Sequence, residues 1–150
     1  ERWLDAGASR VVLGTAAIKN PEMPQALASA RAGSVVIAID AFGGEVKVEG
    51  WLEGTGTKAT DLARIVDGWG VAAILYTNIE RDGTREGPDV QSTAALQGLV
   101  AATVIASGGI GSLDHLRALN SAGVRASVCG RALYSGAFTL EEAFAASEGR

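Results

Sequence analysis

Only one cysteine, one histidine, one methionine and three prolines occur in the 150 residues. The single cysteine, Cys129, excludes a disulfide framework within the chain. The single histidine, His115, has no partner at metal-ligand spacing, so no metal site is expected. Cations are in the minority: 13 lysines and arginines face 17 acidic residues, for a net charge of −4. No basic field therefore argues for nucleic acid. No apolar run approaches the roughly 20 residues of a membrane span, and the opening residues carry no signal-peptide pattern. A cytoplasmic protein that binds neither membrane nor nucleic acid is expected. The chain opens on Glu1, not Met; either something has been removed or this is a piece of a longer chain.

Glycine is abundant, with 20 residues, and 47% of the chain is hydrophobic. Such a composition suits one domain over residues 1–150, with a real core and many tight turns. The chain is organised around residues 34–44, SVVIAIDAFGG. An apolar run of this length reads as a strand buried on both faces, as in a parallel sheet. It ends in one carboxylate, Asp40, where such a strand would stop. In parallel α/β folds, chemistry is done at the carboxyl ends of the strands.

Around this stretch the pattern alternates. Residues 1–10 read as the end of a helix, with Gly7 as its stop. A strand over 10–18 ends at Gly14, Thr15 and Ala16. A helix follows, with Asn20 as cap and Pro21 in the first helical position. After the central strand, residues 45–55 alternate charged and apolar side chains and suggest a short β-excursion or lid anchored by Trp51. The helix over 57–70 places Leu62, Ile65, Val66 and Trp69 on one face. Next come a strand over 71–79, a polar loop over 80–89, a helix over 90–100 and a strand over 102–110. A helix over 112–123 follows, capped by Ser112 and stopped by Gly123. The last strand, with a turn, covers 126–134. A closing helix over 138–149 carries a Thr139–Glu142 capping box. Strand–helix alternation sustained five times is a β/α pattern. Strand ends that carry functional-looking residues one after another favour a barrel whose loops converge on one mouth. A (β/α)8 barrel needs about 250 residues, so about five of its eight units are present.

The chemical candidates lie at those strand ends. Ser107, Gly108 and Gly109 follow a strand and open a helix, where backbone N–H groups and the helix terminus favour an anion. Gly130 and Arg131 follow the next strand. Either loop alone reads as a plain turn; the adjacent pair reads as a phosphate site. Gly54 to Gly56 follows no buried strand and is a turn. Asp40 is a candidate general acid or base, and its plainer reading is a helix cap or loop residue. Thr77, at the end of the next strand, orients a substrate or is an ordinary strand residue. Asp82 is as much turn-former as ligand. His115 reads as a mid-helix surface residue and Cys129 as inert core.

Together, VLGTAA, AIDAFGG, EGW, YTNIERDGT, ASGGI and GRALY, in this order and spacing, resemble the phosphoribosylformimino-AICAR-phosphate isomerases of histidine biosynthesis. The resemblance covers essentially the whole chain and aligns it with the last five βα units of that family's (β/α)8 barrel. It implies an Amadori rearrangement of an aminoaldose to an aminoketose, without metal or organic cofactor, on a substrate with a phosphate at each end. It makes Asp40 the general acid that opens the ribose ring, supported by Thr77, with Asp82 in the loop beyond. It assigns one phosphate to Ser107, Gly108, Gly109, Gly130 and Arg131, and gives Gly14 and Thr15 to the other. Trp51 would stack on the substrate.

The departures carry expectations too. The family's general base, on the first strand, and its third-strand phosphate loop have no counterpart here. Phe42 stands where the family usually has arginine, and Asn78 where it more often has aspartate. The 150-residue chain alone is therefore expected to be inactive. Two other readings stay open. One is the sister barrel, the cyclase subunit of imidazole glycerol phosphate synthase, whose lysine near the fifth-strand aspartate is absent here. The other is a non-catalytic partial barrel that self-associates or assembles with a second chain through its open edges. An isomerase that also accepts phosphoribosyl anthranilate finds no decisive residue.

Overall fold

The computed structural model describes residues 1–148. The central stretch forms the longest strand, β2 (Val35–Phe42), as its run of β-branched residues favours. Before it stand α1 (Arg2–Asp5), β1 (Val11–Leu13), α2 (Ala16–Lys19) and α3 (Glu22–Ala30). After it come β3 (Glu45–Val48), β4 (Glu53–Lys58), α4 (Ala59–Asp67), β5 (Ala73–Asn78) and α5 (Val90–Gln97). The last third holds β6 (Thr103–Ser107), α6 (Leu113–Ser121), β7 (Ala126–Ser127), α7 (Arg131–Tyr134) and α8 (Leu140–Ser147).

The order β1-β2-β5-β6-β7 is parallel throughout, which gives the five βα units of a partial (β/α)8 barrel. The expected excursion is an antiparallel hairpin, β3–β4. It joins the edge of β2 that β1 leaves vacant. β1 pairs with Val35 to Ile37, and β3 with Asp40 to Phe42. The hairpin thus rises directly from the carboxyl end of the central strand.

Successive strand side chains alternate between faces, and the two faces of this sheet differ. Val35, Ile37, Ile39 and Ala41 of β2, with Ile74, Tyr76 and Val104, pack on Leu27, Leu62, Val66 and Leu96 of the helices. A second apolar cluster joins α6 and α8 through Leu116, Leu119, Ala143 and Ala146. The other face carries Val36, Ala38 and Asp40 in register with Ala73, Leu75 and Thr77. Those are in turn in register with Thr103, Ile105 and Ser107. On this face Val36, Ala73 and Thr77 are buried, whereas Val12 and Phe42 are 55% and 52% exposed.

Several expectations are corrected in detail. The first strand stops at Leu13, and Ala16 begins a short helix instead. Asn20 ends that helix rather than capping the next, whose N-cap is Pro21. Ile65 is 54% exposed, because the buried stripe of α4 runs through Ala59, Leu62, Ala63 and Val66. At about 100° per residue, Ile65 falls beyond the edge of that stripe. The last strand shrinks to two residues, and Arg131–Tyr134 is a helical turn. Ser112 and the Thr139–Glu142 box cap their helices as expected. Gly123, at φ +84°, ends α6 with Val124 N–H bonded to Leu119 O and Gly123 N–H to Asn120 O. That double bond is the Schellman arrangement of a helix stop. Gly149, the last residue of the expected closing helix, lies outside the described residues.

Candidate active site

Asp40, Thr77 and Ser107 form one row across three adjacent strands: Asp40 pairs with Thr77, and Thr77 with Ser107. All three stand at the carboxyl ends of their strands and point to the sheet face that carries Val36 and Ala38. Thr77 is buried, and Asp40 and Ser107 are half-buried. A cavity opens at each end of this row.

The first cavity, of about 80 Å³, brings Asp40 together with Gly14, Thr15 and Trp51, and adds Lys47. Trp51 comes from the hairpin tip, where Glu49, Gly50 and Trp51 are successively left-handed, at φ +53°, +65° and +75°. Such a conformation costs about 1–3 kcal/mol for a non-glycine residue. Four contacts hold the tip there. Trp51 Nε1–H donates to Asp40 Oδ2 at 2.8 Å, Glu49 N–H donates to Thr15 Oγ1 at 3.2 Å, and Lys19 Nζ reaches Glu49 and Glu53 at 3.1 and 2.8 Å. Trp51, expected to stack on a substrate, here tethers the candidate acid. Phe42 lies two residues beyond Asp40 on the same face.

The second cavity, of about 240 Å³, gathers Asp82, Ser107, Gly108, Gly109, Gly130 and Arg131. These residues come from three successive loops at one end of the sheet. The pairing of the two glycine loops is therefore real in space. Thr77 lines neither cavity and stands between them.

The loop over 80–89 forms one wall. Its base is fastened where Asn78 Nδ2 donates to Asp89 Oδ2 at 2.8 Å. Asp89 also caps α5 by accepting from Ser92 N–H at 3.0 Å. Burial tends to raise the Asp89 pKa, but the bonds from Ser92 and Asn78 and the nearby Arg81 outweigh it and hold it below its ordinary value. Asn78 faces away from the Asp40 row, toward the helices. An aspartate there would set two carboxylates against each other, so the departure at Asn78 belongs with Asp89.

The glycines of the second loop have a role that sequence reasoning did not give them. A Cβ on Gly109, at φ +79°, would collide with Gly87 O, and one on Gly111 with Arg85 O. Gly87 N–H donates to Gly109 O at 2.9 Å. The glycines therefore let two loops lie against each other. His115 is not a mid-helix surface residue. It sits half-buried in the first turn of α6, and its Nδ1 accepts from Gly111 N–H at 3.0 Å. Cys129 is half-buried, and burial pushes its thiol above the usual value, which agrees with an inert role.

Arg85 is the charged lining residue that the motif reading passed over. The signal was the second cation of the loop ERDGTREGPD, four residues after Arg81. Among the described residues, no group of three or more histidine, cysteine or acidic side chains could hold a metal ion. No helix among them is long and apolar enough to cross a membrane.

The model of a family described as histidine biosynthesis protein matches residues 1–139. Three relatives bear the name 1-(5-phosphoribosyl)-5-((5-phosphoribosylamino)methylideneamino) imidazole-4-carboxamide isomerase. That from Ruegeria sp. (strain TM1040) is 49% identical over 99% of this chain and 63% of its own length. That from Dinoroseobacter shibae is 50% identical over 97% of this chain and 61% of its own. The Geobacter sulfurreducens protein is 45% identical, with the same two coverages of 97% and 61%. The chain spans about three-fifths of the length of the curated relatives it matches. With its parallel β/α units and its two cavities at the strand ends, the chain belongs to the histidine biosynthesis protein family.

Proposed function

We propose that the protein carrying this sequence is an aldose–ketose isomerase of histidine biosynthesis that works in the cytoplasm on the bis-phosphorylated phosphoribosylformimino-aminoimidazole carboxamide ribonucleotide. The observation that carries this reading is the Asp40–Thr77–Ser107 row with a cavity at each end. A substrate with two phosphates and a reacting sugar between them needs that layout. The row supplies one acid group centrally. The cavity around Ser107, Gly108, Gly109, Gly130 and Arg131 supplies N–H donors and a guanidinium for one phosphate. The names of the relatives at close to half identity agree with it.

In this reading Asp40 gives a proton to the ribose ring oxygen as the C1–O bond opens and the amino nitrogen forms an iminium with C1. A base then removes the C2 proton, and the resulting enolamine tautomerises to the aminoketose. No oxidant or second substrate is consumed. Thr77 fixes the position of Asp40, and Trp51 Nε1–H holds its carboxylate until substrate takes that place. The base is not among the residues assigned here, so the 150-residue chain alone should not turn over.

The test is to give the full-length protein the aminoaldose and follow the product, with and without ammonia. Conversion to the aminoketose without ammonia supports the reading. Absence of conversion, or ammonia-dependent cyclisation of the aminoketose, overturns it, the latter in favour of the cyclase.

A second reading rests on a different observation, the exposure of the apolar side chains Val12 and Val128, at 55% and 46%. The chain on its own would act as a partial barrel that self-associates through its open edges. β1 pairs only with β2, and β7 only with β6, among the described residues.

A further inference from the structure

We infer that Arg85 is a second anion-binding guanidinium in the larger cavity, and that it sets the affinity for one phosphate of the substrate. The inference rests on the reading of that cavity as an anion site. The charged side chains lining it are Asp82, Arg85 and Arg131. Asp82 and Arg131 cancel, so the positive excess that a phosphate dianion requires comes from Arg85. Neither arginine is spent on an ion pair among the described residues. Each is positioned by one neutral bond instead. Arg85 donates from Nη1 to Ser135 Oγ at 3.2 Å, and Arg131 from Nη1 to Gly83 O at 3.1 Å. A guanidinium has five N–H donors, so both keep donors for a ligand.

The two bonds also run in opposite directions between the same two segments. Arg85, in the loop after β5, reaches the end of α7, and Arg131, at the start of α7, reaches back to that loop. The cations are thereby held on facing walls, an arrangement suited to gripping one tetrahedral anion from two sides. The backbone of Arg85 points the same way. Its φ is +63°, a region that favours glycine. Glycine would serve the loop as well or better, so the large cationic side chain is there for what its guanidinium does. Backbone strain of this kind gathers at ligand clamps.

That strain also provides a clean test. R85G keeps the backbone geometry and removes the cation, and R85K keeps the charge without the fork. Inorganic sulfate is the probe, because its charge is constant over the working range. It is titrated into the full-length protein by isothermal calorimetry at low salt, and KM and kcat for the aminoaldose are measured alongside. R85G should weaken sulfate and raise KM about tenfold, as expected for a lost charge-assisted bond. Its kcat should stay within about twofold and its Tm within a few degrees. R85K should fall between R85G and the native protein. If native protein and R85G bind sulfate equally and share one KM while R131M loses affinity, the inference about Arg85 is wrong and the anion site stands. If the native protein binds no sulfate, both fall. A loss confined to kcat or Tm would make Arg85 a structural residue and overturn the inference too.

Discussion

Two side chains near the strand ends hold the positions of others, and each can be tested by removing the donor. Trp51 touches Asp40 through a single N–H at 2.8 Å. W51F keeps an aromatic side chain and loses that donor. Because a bond to a charged group contributes about 1.5–3 kcal/mol, W51F should destabilise the substrate-free protein by about that much in urea titrations; an unchanged stability would remove Trp51 from the acid's support. Asn78 and Asp89 form the second pair. N78D should destabilise the protein by about 1–3 kcal/mol in urea titrations, because two carboxylates then meet. Exchanging the pair, N78D with D89N, should recover most of that loss, with a coupling of at least about 1 kcal/mol. Asp40, Thr77, Ser107 and the glycines were legible in the sequence because strand ends announce themselves by an apolar run that stops. Arg85 was less so: it was visible as one of two cations in a polar loop, and nothing there tells which of them lines the cavity. The Asn78–Asp89 bond was hidden for a related reason: its partners are 11 residues apart across a loop with no periodicity.

At the scale of elements, the loop over 80–89 and the glycine loop over 107–111 behave as one unit. G109A should cost about 1–3 kcal/mol, from the left-handed backbone and the collision with Gly87 O. Its anion affinity should fall as well, because the loops can no longer close on each other. Asp89 gives the same unit a pH dependence. Its pKa is held below the ordinary 3.8, so its stabilisation is complete above that value and is lost as pH falls through the lowered one. D89A should therefore cost about 1 kcal/mol near neutrality, as a lost helix cap does. Its Tm should converge on that of the native protein as pH falls below about 4; a constant gap down to pH 2 would contradict the assignment. The β/α alternation was readable because helical and strand periodicities differ. Element lengths were less so. The strand expected over 126–134 became two residues and a helical turn, since an apolar run at a sheet edge does not fix how far pairing extends.

At the scale of the whole molecule, helices α3, α4 and α5 pack on one face of the sheet. Val12, Phe42 and Val128 stand exposed on the other face, and β1 and β7 each have a side without a described partner strand. Free strand edges recruit other chains. The isolated 150-residue chain should therefore sediment as a dimer or larger species, and a concentration-independent monomer of 15.3 kDa would count against that. This openness also explains why five units were legible while closure was not: the residues that would complete the mouth are not in this sequence. In the proposed function Asp40 is the acid of an isomerase site spread across the strand ends. The most direct measurement is the turnover of D40N in the full-length protein with saturating aminoaldose. Its kcat should be lower by about 10²–10⁴-fold, as for loss of a general acid, with sulfate affinity at the Arg85–Arg131 cavity unchanged. A D40N protein that turns over within a few-fold of native would contradict that role.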